Sequence, residues 1–260
     1  MGYIILGVAF VLSLYFIFFY KKKVNVQPFP KEWEAYLSDL IFYKRLPATK
    51  KRLFKKRMMK FLAEVHVEGV EFKITDYDKV LVATAAVIPT LAFKDWYYPN
   101  LSSVLIYPDA FNNDFSFDKA DKNRRILGVV GSGRLKNTMI LSRKALHHGF
   151  ENESDKLNTA IHEFVHLIDG VDGSVDGVPA QLLAQPNIVP WLKLIHETME
   201  AINEDASDIR AYGGTSQEEF FAVVAEYFFS RPKLMKRKHP ELYAMLELCF
   251  AQNPAKQPAK

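Results

Sequence analysis

The chain has 260 residues, 49% of them hydrophobic and 25% charged, with a single cysteine. That composition excludes a disordered or collagen-like chain, and a lone Cys249 excludes a disulfide-stapled secreted scaffold and favours a reducing compartment. The formal charge of +4 is too mild for a nucleic-acid binder, and it hides two regions: residues 21–57 hold 12 basic and 3 acidic side chains, and residues 58–260 carry a net −5.

From Tyr3 to Tyr20 the chain carries no charge; as a helix this run spans about 27 Å, near the thickness of a bilayer core. No basic stretch precedes it and no small-x-small cleavage site follows, so an uncleaved transmembrane anchor over residues 1–20 is expected rather than a signal peptide. Lys21, Lys22 and Lys23 come directly after the run, which predicts a single-pass membrane protein with its body in the cytoplasm. Residues 21–30 then form a basic juxtamembrane linker.

Trp33, Tyr36, Leu37, Leu40 and Ile41 recur at helical spacing, and a second helix is expected after Pro47. The second helix carries Lys50, Lys51, Arg52, Lys55, Lys56 and Arg57, a face suited to anionic lipid headgroups or to solvent, opposite a core side of Leu53, Phe54, Met58, Phe61 and Leu62. Val65 to Ile74 alternates as a strand would, Asp78 to Phe93 reads as a buried helix, and Ser103 to Tyr107 as a short strand. Two further strands, Arg125 to Val130 and Thr138 to Leu141, are expected to be joined through Gly131, Ser132 and Gly133. These glycines lack the GKS or GKT of a phosphate loop, so a hairpin turn explains them. From about Asp155 to Gln252 the pattern is helical apart from the loop at Gly170 to Pro186. One folded unit over residues 31–251 is expected, with 252–260 as a flexible tail.

His162-Glu163-Phe164-Val165-His166 is an HExxH motif inside a helical segment. Residues four apart share a helix face, so both imidazoles can reach one zinc ion with Glu163 beside them, free to act on a metal-held water. Ile161, Phe164, Val165, Leu167 and Ile168 mark the helix as buried, and buried histidines need partners. Catalytic zinc commonly takes three protein ligands. Asp169 and Asp172 stand where the longer HExxHxxGxxH pattern needs glycine and histidine, so the third ligand must come from elsewhere. On the later segment SQEEFFAVVAEYFFSRP at 216–232, Glu219 and Glu226 lie seven apart on one face. Either can be the ligand, with the other as its supporting partner. Asp169 is a further acceptor, or simply a helix-end residue before Gly170.

With VLIYPDAF at 104–111, LNTAIHEFVHLIDGVDG at 157–173 and ASDIRAYGGTSQEEFFAVVAEYFFSRPKLM at 206–235, the chain resembles the Mlc titration factor A family of zincin-like, gluzincin-type metallopeptidases. The resemblance implies an α+β zincin-like metallopeptidase domain, with a small mixed sheet, an active-site helix and C-terminal helices. It also implies one Zn2+ held by His162, His166 and Glu219, Glu163 as catalytic base and Tyr212 assisting at the oxyanion. The expected function is a membrane-anchored zinc peptidase. The motif itself does not separate endopeptidase from aminopeptidase action. The expected partners are a peptide or protein substrate, and the membrane through the N-terminal helix and basic segment; no nucleic acid is expected. The alternative is a zincin scaffold that captures a transcription regulator or other protein without cutting it. The hydrophobic anchor departs from the soluble members of the family.

Zincin folds hold substrate against an edge strand, and Thr138 to Leu141 is the strand expected there. His66, His147, His148, His196 and His239 read as structural or solvated, the pair His147 and His148 within a turn, and Cys249 as a core residue.

Overall fold

The computed structural model describes residues 25–111, 126–131, 133–151 and 155–256. The expected anchor over 1–20 and the first part of the linker lie outside them. Among the described residues no helix is long and apolar enough to cross a membrane.

The helix expected from Trp33 onwards is broken in two, α1 (Trp33–Asp39) and α2 (Ile41–Lys44), because Leu40 adopts an extended conformation at φ −77° and ψ 124°. The break redirects the chain so that Leu40 and Tyr43 are buried with Trp33 and Leu37, whereas Tyr36 stays exposed. Next, α3 (Ala48–Glu64) starts directly after Pro47, whose fixed φ suits a helix entry. It buries Phe54, Met58 and Phe61 and leaves Leu53 exposed. Two of its cations are engaged on this side of the molecule: Lys55 pairs with Glu34 at 2.8 Å, and Arg57 donates to the Thr90 carbonyl at 2.6 Å.

Four strands form one mixed sheet in the order β1-β2-β4-β3. β1 (His66–Gly69) and β2 (Ser103–Tyr107) are parallel, as are β2 and β4 (Thr138–Ser142), while β3 (Gly128–Val130) runs antiparallel to β4. The expected strand from Val65 shrinks to four residues. It is followed by Glu71 at φ +63°, a left-handed conformation that ends the extended run. Along β2 and β4, alternate side chains divide between two cores, as the pleat requires. Val104, Ile106, Met139 and Leu141 join the main core, whereas Tyr107 and Ile140 pack with Phe111 on the other face. Thr138 to Leu141 is therefore not the edge: β4 pairs on both sides, and the antiparallel edge strand is β3. The hairpin link between them holds, with a 3-10 turn at Gly133–Leu135.

The buried helix expected in the first half is α4 (Asp76–Val87), capped by reciprocal bonds between Thr75 and Asp78. Its Asp78 is fully buried and accepts from Arg143 Nε at 2.9 Å, with His147 Nε2 at 2.6 Å. Both partners sit on α5 (Arg143–Glu151), so His147 and His148 are helical residues and not part of a turn. The main core runs from Trp33 to Phe250 without interruption in character. Its centre is α8 (Gln217–Ser230), buried on nearly every side, packed against α6 (Thr159–Asp169) and touched by α7 (Ile188–Asn203). The expected tail begins later than residue 252. Gln252 donates from a buried amide to the Ile88 carbonyl at 2.8 Å, and Asn253 accepts from Tyr243 at 2.9 Å, which ties this stretch to the body.

Candidate metal centre

α6 carries the HExxH motif, and its N-terminus is fixed from three directions by one residue. Asn158 Oδ1 accepts from the Ile161 amide at 3.0 Å, its Nδ2 donates to the Gly149 carbonyl at 2.8 Å, and its backbone N–H donates to Glu226 Oε2 at 2.7 Å. α8 begins at Ser216, whose hydroxyl caps the Glu219 amide. Glu219 and Glu226, two turns apart on the same face of α8, both reach His162 and embrace it: Glu219 Oε2 lies 3.0 Å from Nε2, and Glu226 Oε1 lies 2.7 Å from Nδ1. The spacing left both glutamates open as ligand or support; the geometry separates them. Glu219 also faces His166 Nε2 at 3.6 Å, and the two Nε2 atoms are 3.1 Å apart. Of the two motif imidazoles Glu226 touches only that of His162, at its far nitrogen.

Nε2 of His162, Nε2 of His166 and Oε2 of Glu219 thus form a triangle with sides of 3.0, 3.1 and 3.6 Å. Zinc with nitrogen and oxygen ligands at about 2.0–2.1 Å in a tetrahedron sets such atoms about 3.3 Å apart. Glu219 Oε2 is buried with no hydrogen bond of acceptable geometry. A buried carboxylate oxygen left unpaired is costly, and a cation at the centre of the triangle would satisfy it. The residues fit the zinc expected from the motif. His162 is held in one tautomer by the Glu226 carboxylate, the arrangement that orients metal-binding imidazoles.

Electrostatics point the same way. Burial alone would lower His162, but the carboxylates of Glu219 and Glu226 outweigh it and hold the imidazole up at about 10. Burial would raise Glu219, yet the two imidazoles facing its carboxylate keep it well below the usual range. This is a cradle that favours positive charge. Glu163, beside the triangle and 5% exposed, is pushed up to about 7 by burial against the pull of both imidazoles.

Two features near the motif carry no local signature in the sequence. Arg210 pairs with Glu226 Oε1, so Glu226 is neutralised from behind as it holds His162. Arg210 belongs to a loop pinned by Asp208, whose carboxylate takes Lys156 at 2.8 Å, Lys238 at 3.1 Å, His239 at 2.6 Å and the Tyr227 hydroxyl at 3.0 Å. The same loop presents Tyr212, half exposed, with its ring stacked 6.0 Å from that of His162. Burial and hydrogen bonding to Glu219 raise the Tyr212 phenol to about 12, so it keeps its proton at neutral pH and can donate a hydrogen bond. The second feature is Gly128 on β3. A Cβ there would lie 2.7 Å from Glu163 Oε1 and 2.9 Å from Thr159 Cγ2, so only glycine lets the edge strand approach α6 this closely.

Asp169 turns away from the imidazoles. It accepts from the Gly177 amide at 2.7 Å, and the Gly177 carbonyl in turn accepts from Trp191 Nε1 at 2.7 Å. Gly177 needs its φ of +78°, and a side chain there would strike the Gln217 carbonyl. The loop after α6 is therefore a brace between the two helices that carry the triangle. The other histidines have structural partners, namely Glu68 for His66, Asp78 for His147, Asp155 for His148, Glu200 for His196 and Asp208 for His239. Cys249 is buried in the core.

Known proteins resemble the chain over most of its length. An uncharacterised protein of Synechocystis, slr2042, is 28% identical over 248 residues, covering 90% of this chain and 88% of that one. The Mlc titration factor A of Escherichia fergusonii is 28% identical over 207 residues, covering 75% of this chain and 76% of that one. The protein of the same name from Pectobacterium atrosepticum is 26% identical over 200 residues, covering 71% and 72%. The resemblance read from the motifs is thereby borne out, and a metallopeptidase family implies a metal, for which His162, His166 and Glu219 are the group of suitable side chains among the described residues. Since the match to the family extends over residues 18–251, the chain belongs to the glucose-regulated metallo-peptidase M90 family.

Proposed function

We propose that the protein is a membrane-anchored, zinc-dependent peptidase with its catalytic domain on the cytoplasmic side. The observation that carries the reading is the convergence of His162 Nε2, His166 Nε2 and Glu219 Oε2 beside the buried carboxyl of Glu163. When bound, zinc supplies Lewis-acid polarisation of the peptide carbonyl and lowers the pKa of water. Glu163 takes the proton of the attacking water and passes it to the leaving amine. Tyr212 donates its O–H to the developing oxyanion. Glu226 and Arg210 keep His162 oriented. Among the described residues β3 itself pairs only with β4, and the bridge between Ile126 and Phe111 lies just before it, so an extended peptide can add to the outer side of Gly128–Val130 next to Glu163.

The experiment is metal analysis of the full-length chain together with cleavage of a peptide library. The expected result is bound zinc and hydrolysis in the wild type, and bound zinc without hydrolysis in Glu163→Gln. Zinc-loaded wild type that cuts no peptide would refute the enzyme reading. Membrane attachment is tested separately by fractionation of cells with and without residues 1–20.

A second reading rests on the name of the relatives, Mlc titration factor A: a scaffold that captures a transcription regulator. Equal retention of one uncleaved protein by wild type and Glu163→Gln would favour it.

A further inference from the structure

Away from the metal centre, α3, the end of α4 and the segment 96–101 line an open-sided cavity of about 330 Å³, within the range of small-ligand sites. Arg57, Lys60 and Glu64 line it from α3, and Trp96, Tyr97 and Tyr98 from the opposite side. Lys60 lies 3.7 Å from Glu64 and donates to the Trp96 carbonyl at 3.4 Å, so both side chains of that pair are partly engaged. Arg57 spends one N–H on the Thr90 carbonyl and feels Asp95 only electrostatically. The indole Nε1–H of Trp96 is buried and has no acceptor among the described residues. A buried N–H without an acceptor is uncommon and costly, and an anion beside a guanidinium would complete it. The aromatic walls suit an apolar body in van der Waals contact.

We propose that this cavity binds a small organic anion, its carboxylate or phosphate held between the Arg57 and Lys60 cations and the Trp96 Nε1–H and its apolar body resting on the Trp96 and Tyr98 rings. The occupant would lie close behind the motif helix. Phe61 and Tyr98, both lining residues, pack on Phe164 with ring centroids at 5.6 and 5.2 Å. Phe164 is two residues from each motif histidine, hence on the opposite side of α6 from them.

The test uses the indole N–H resonances of the full-length chain. Its three tryptophans give three signals, of which Trp96 is assigned by Trp96→Phe and Trp191 is already bonded to the Gly177 carbonyl. The chain is titrated with hexanoate, benzoate and phenyl phosphate, and with hexanol as the uncharged control. The expected result is a saturable shift of the Trp96 signal with at least one anion and none with hexanol. The carboxylate and phosphate arms identify the preferred head group. Arg57→Met and Lys60→Met should each weaken binding by about tenfold or more. Should the loss of the Thr90 bond unfold Arg57→Met, Lys60→Met still decides the matter. A Trp96 signal unmoved by all three anions, moved equally by hexanol, or moved equally in the folded variants would overturn the proposal. The readout involves no peptide hydrolysis, so it succeeds or fails independently of the peptidase reading.

Discussion

A methyl group added at Gly128 would sit 2.7 Å from Oε1 and 2.8 Å from Cγ of Glu163, and 2.9 Å from Thr159 Cγ2. Favourable contacts between such atoms lie near 3.5 Å or beyond, so Gly128→Ala requires a relative shift of about 0.5–1 Å. Two parts can yield: the three-residue β3, or the Glu163 side chain, which has three torsions to adjust. Either way the carboxylate moves relative to the imidazoles and to the peptide that the proposed function places on the edge strand. Overpacking of this kind costs about 1–3 kcal/mol of stability, and a short edge strand belongs at the lower end. The effect on turnover is larger, since a misplacement of about 1 Å can cost about 10²-fold in rate. The assay compares kcat/KM on a cleaved peptide, zinc content and Tm for wild type, Gly128→Ala and Gly133→Ala. Gly133 has φ +56°, and a Cβ there would meet nothing within 4 Å, so its alanine variant bears backbone strain in the same hairpin without touching Glu163. Gly128→Ala should keep its zinc and lose most activity, while Gly133→Ala loses stability alone. Activity of Gly128→Ala within about twofold of wild type, or zinc lost in step with activity, would refute the reasoning that the glycine exists to seat Glu163.

Three other outcomes follow from the contacts. Glu226→Gln keeps the shape but weakens the grip on His162 and the pairing with Arg210, and it should lower zinc affinity by about 10- to 100-fold in a chelator competition. Tyr212→Phe should retain zinc at wild-type affinity and lose about 10²- to 10³-fold in kcat, the loss expected for one oxyanion donor. Burial alone would raise the Asp78 carboxyl, but Arg143, Thr75 and His147 together hold it down at about 2, against the usual 3.8. Its contribution is complete above the unfolded value and is lost as pH falls toward the folded one, amounting to about 2 kcal/mol between these limits. Denaturant unfolding from pH 4.5 to 2 should therefore be flatter in Asp78→Asn than in wild type, on a lower baseline.

What the sequence made legible was local. HExxH announces itself because two ligands and the neighbouring carboxyl share a single helix, and the seven-residue interval placed Glu219 and Glu226 on one face without saying which nitrogen each would meet. Tyr212 was accessible only through the family resemblance, since a tyrosine before two glycines is an ordinary loop residue. Arg210 and Gly128 were missed because their meaning is nonlocal: one lies 16 residues from Glu226 and the other 35 from Glu163, on elements whose approach only tertiary packing decides. The edge strand was misplaced for a related reason. Alternation shows that Thr138 to Leu141 is a strand and the glycines join it to β3, but strand order depends on pairing, and β2, the neighbour that takes β4 off the edge, lies far earlier in the chain. The break at Leu40 left no glycine or proline to read; burial of Tyr43 with Leu37 demands it.

The loop carrying Arg210 and Tyr212 is moored differently from the helices it serves. Asp208 holds it through Lys156, Lys238 and His239, and the carboxylate is about a quarter exposed. Charge pairs at that depth are weakened by dissolved ions, whereas the buried clasp of Glu226 on His162 is not. Ionic strength therefore becomes a dial on the loop alone. Raising it should slow turnover at constant zinc content, and the response should vanish in Asp208→Asn, whose loop has already lost the charge that salt would screen.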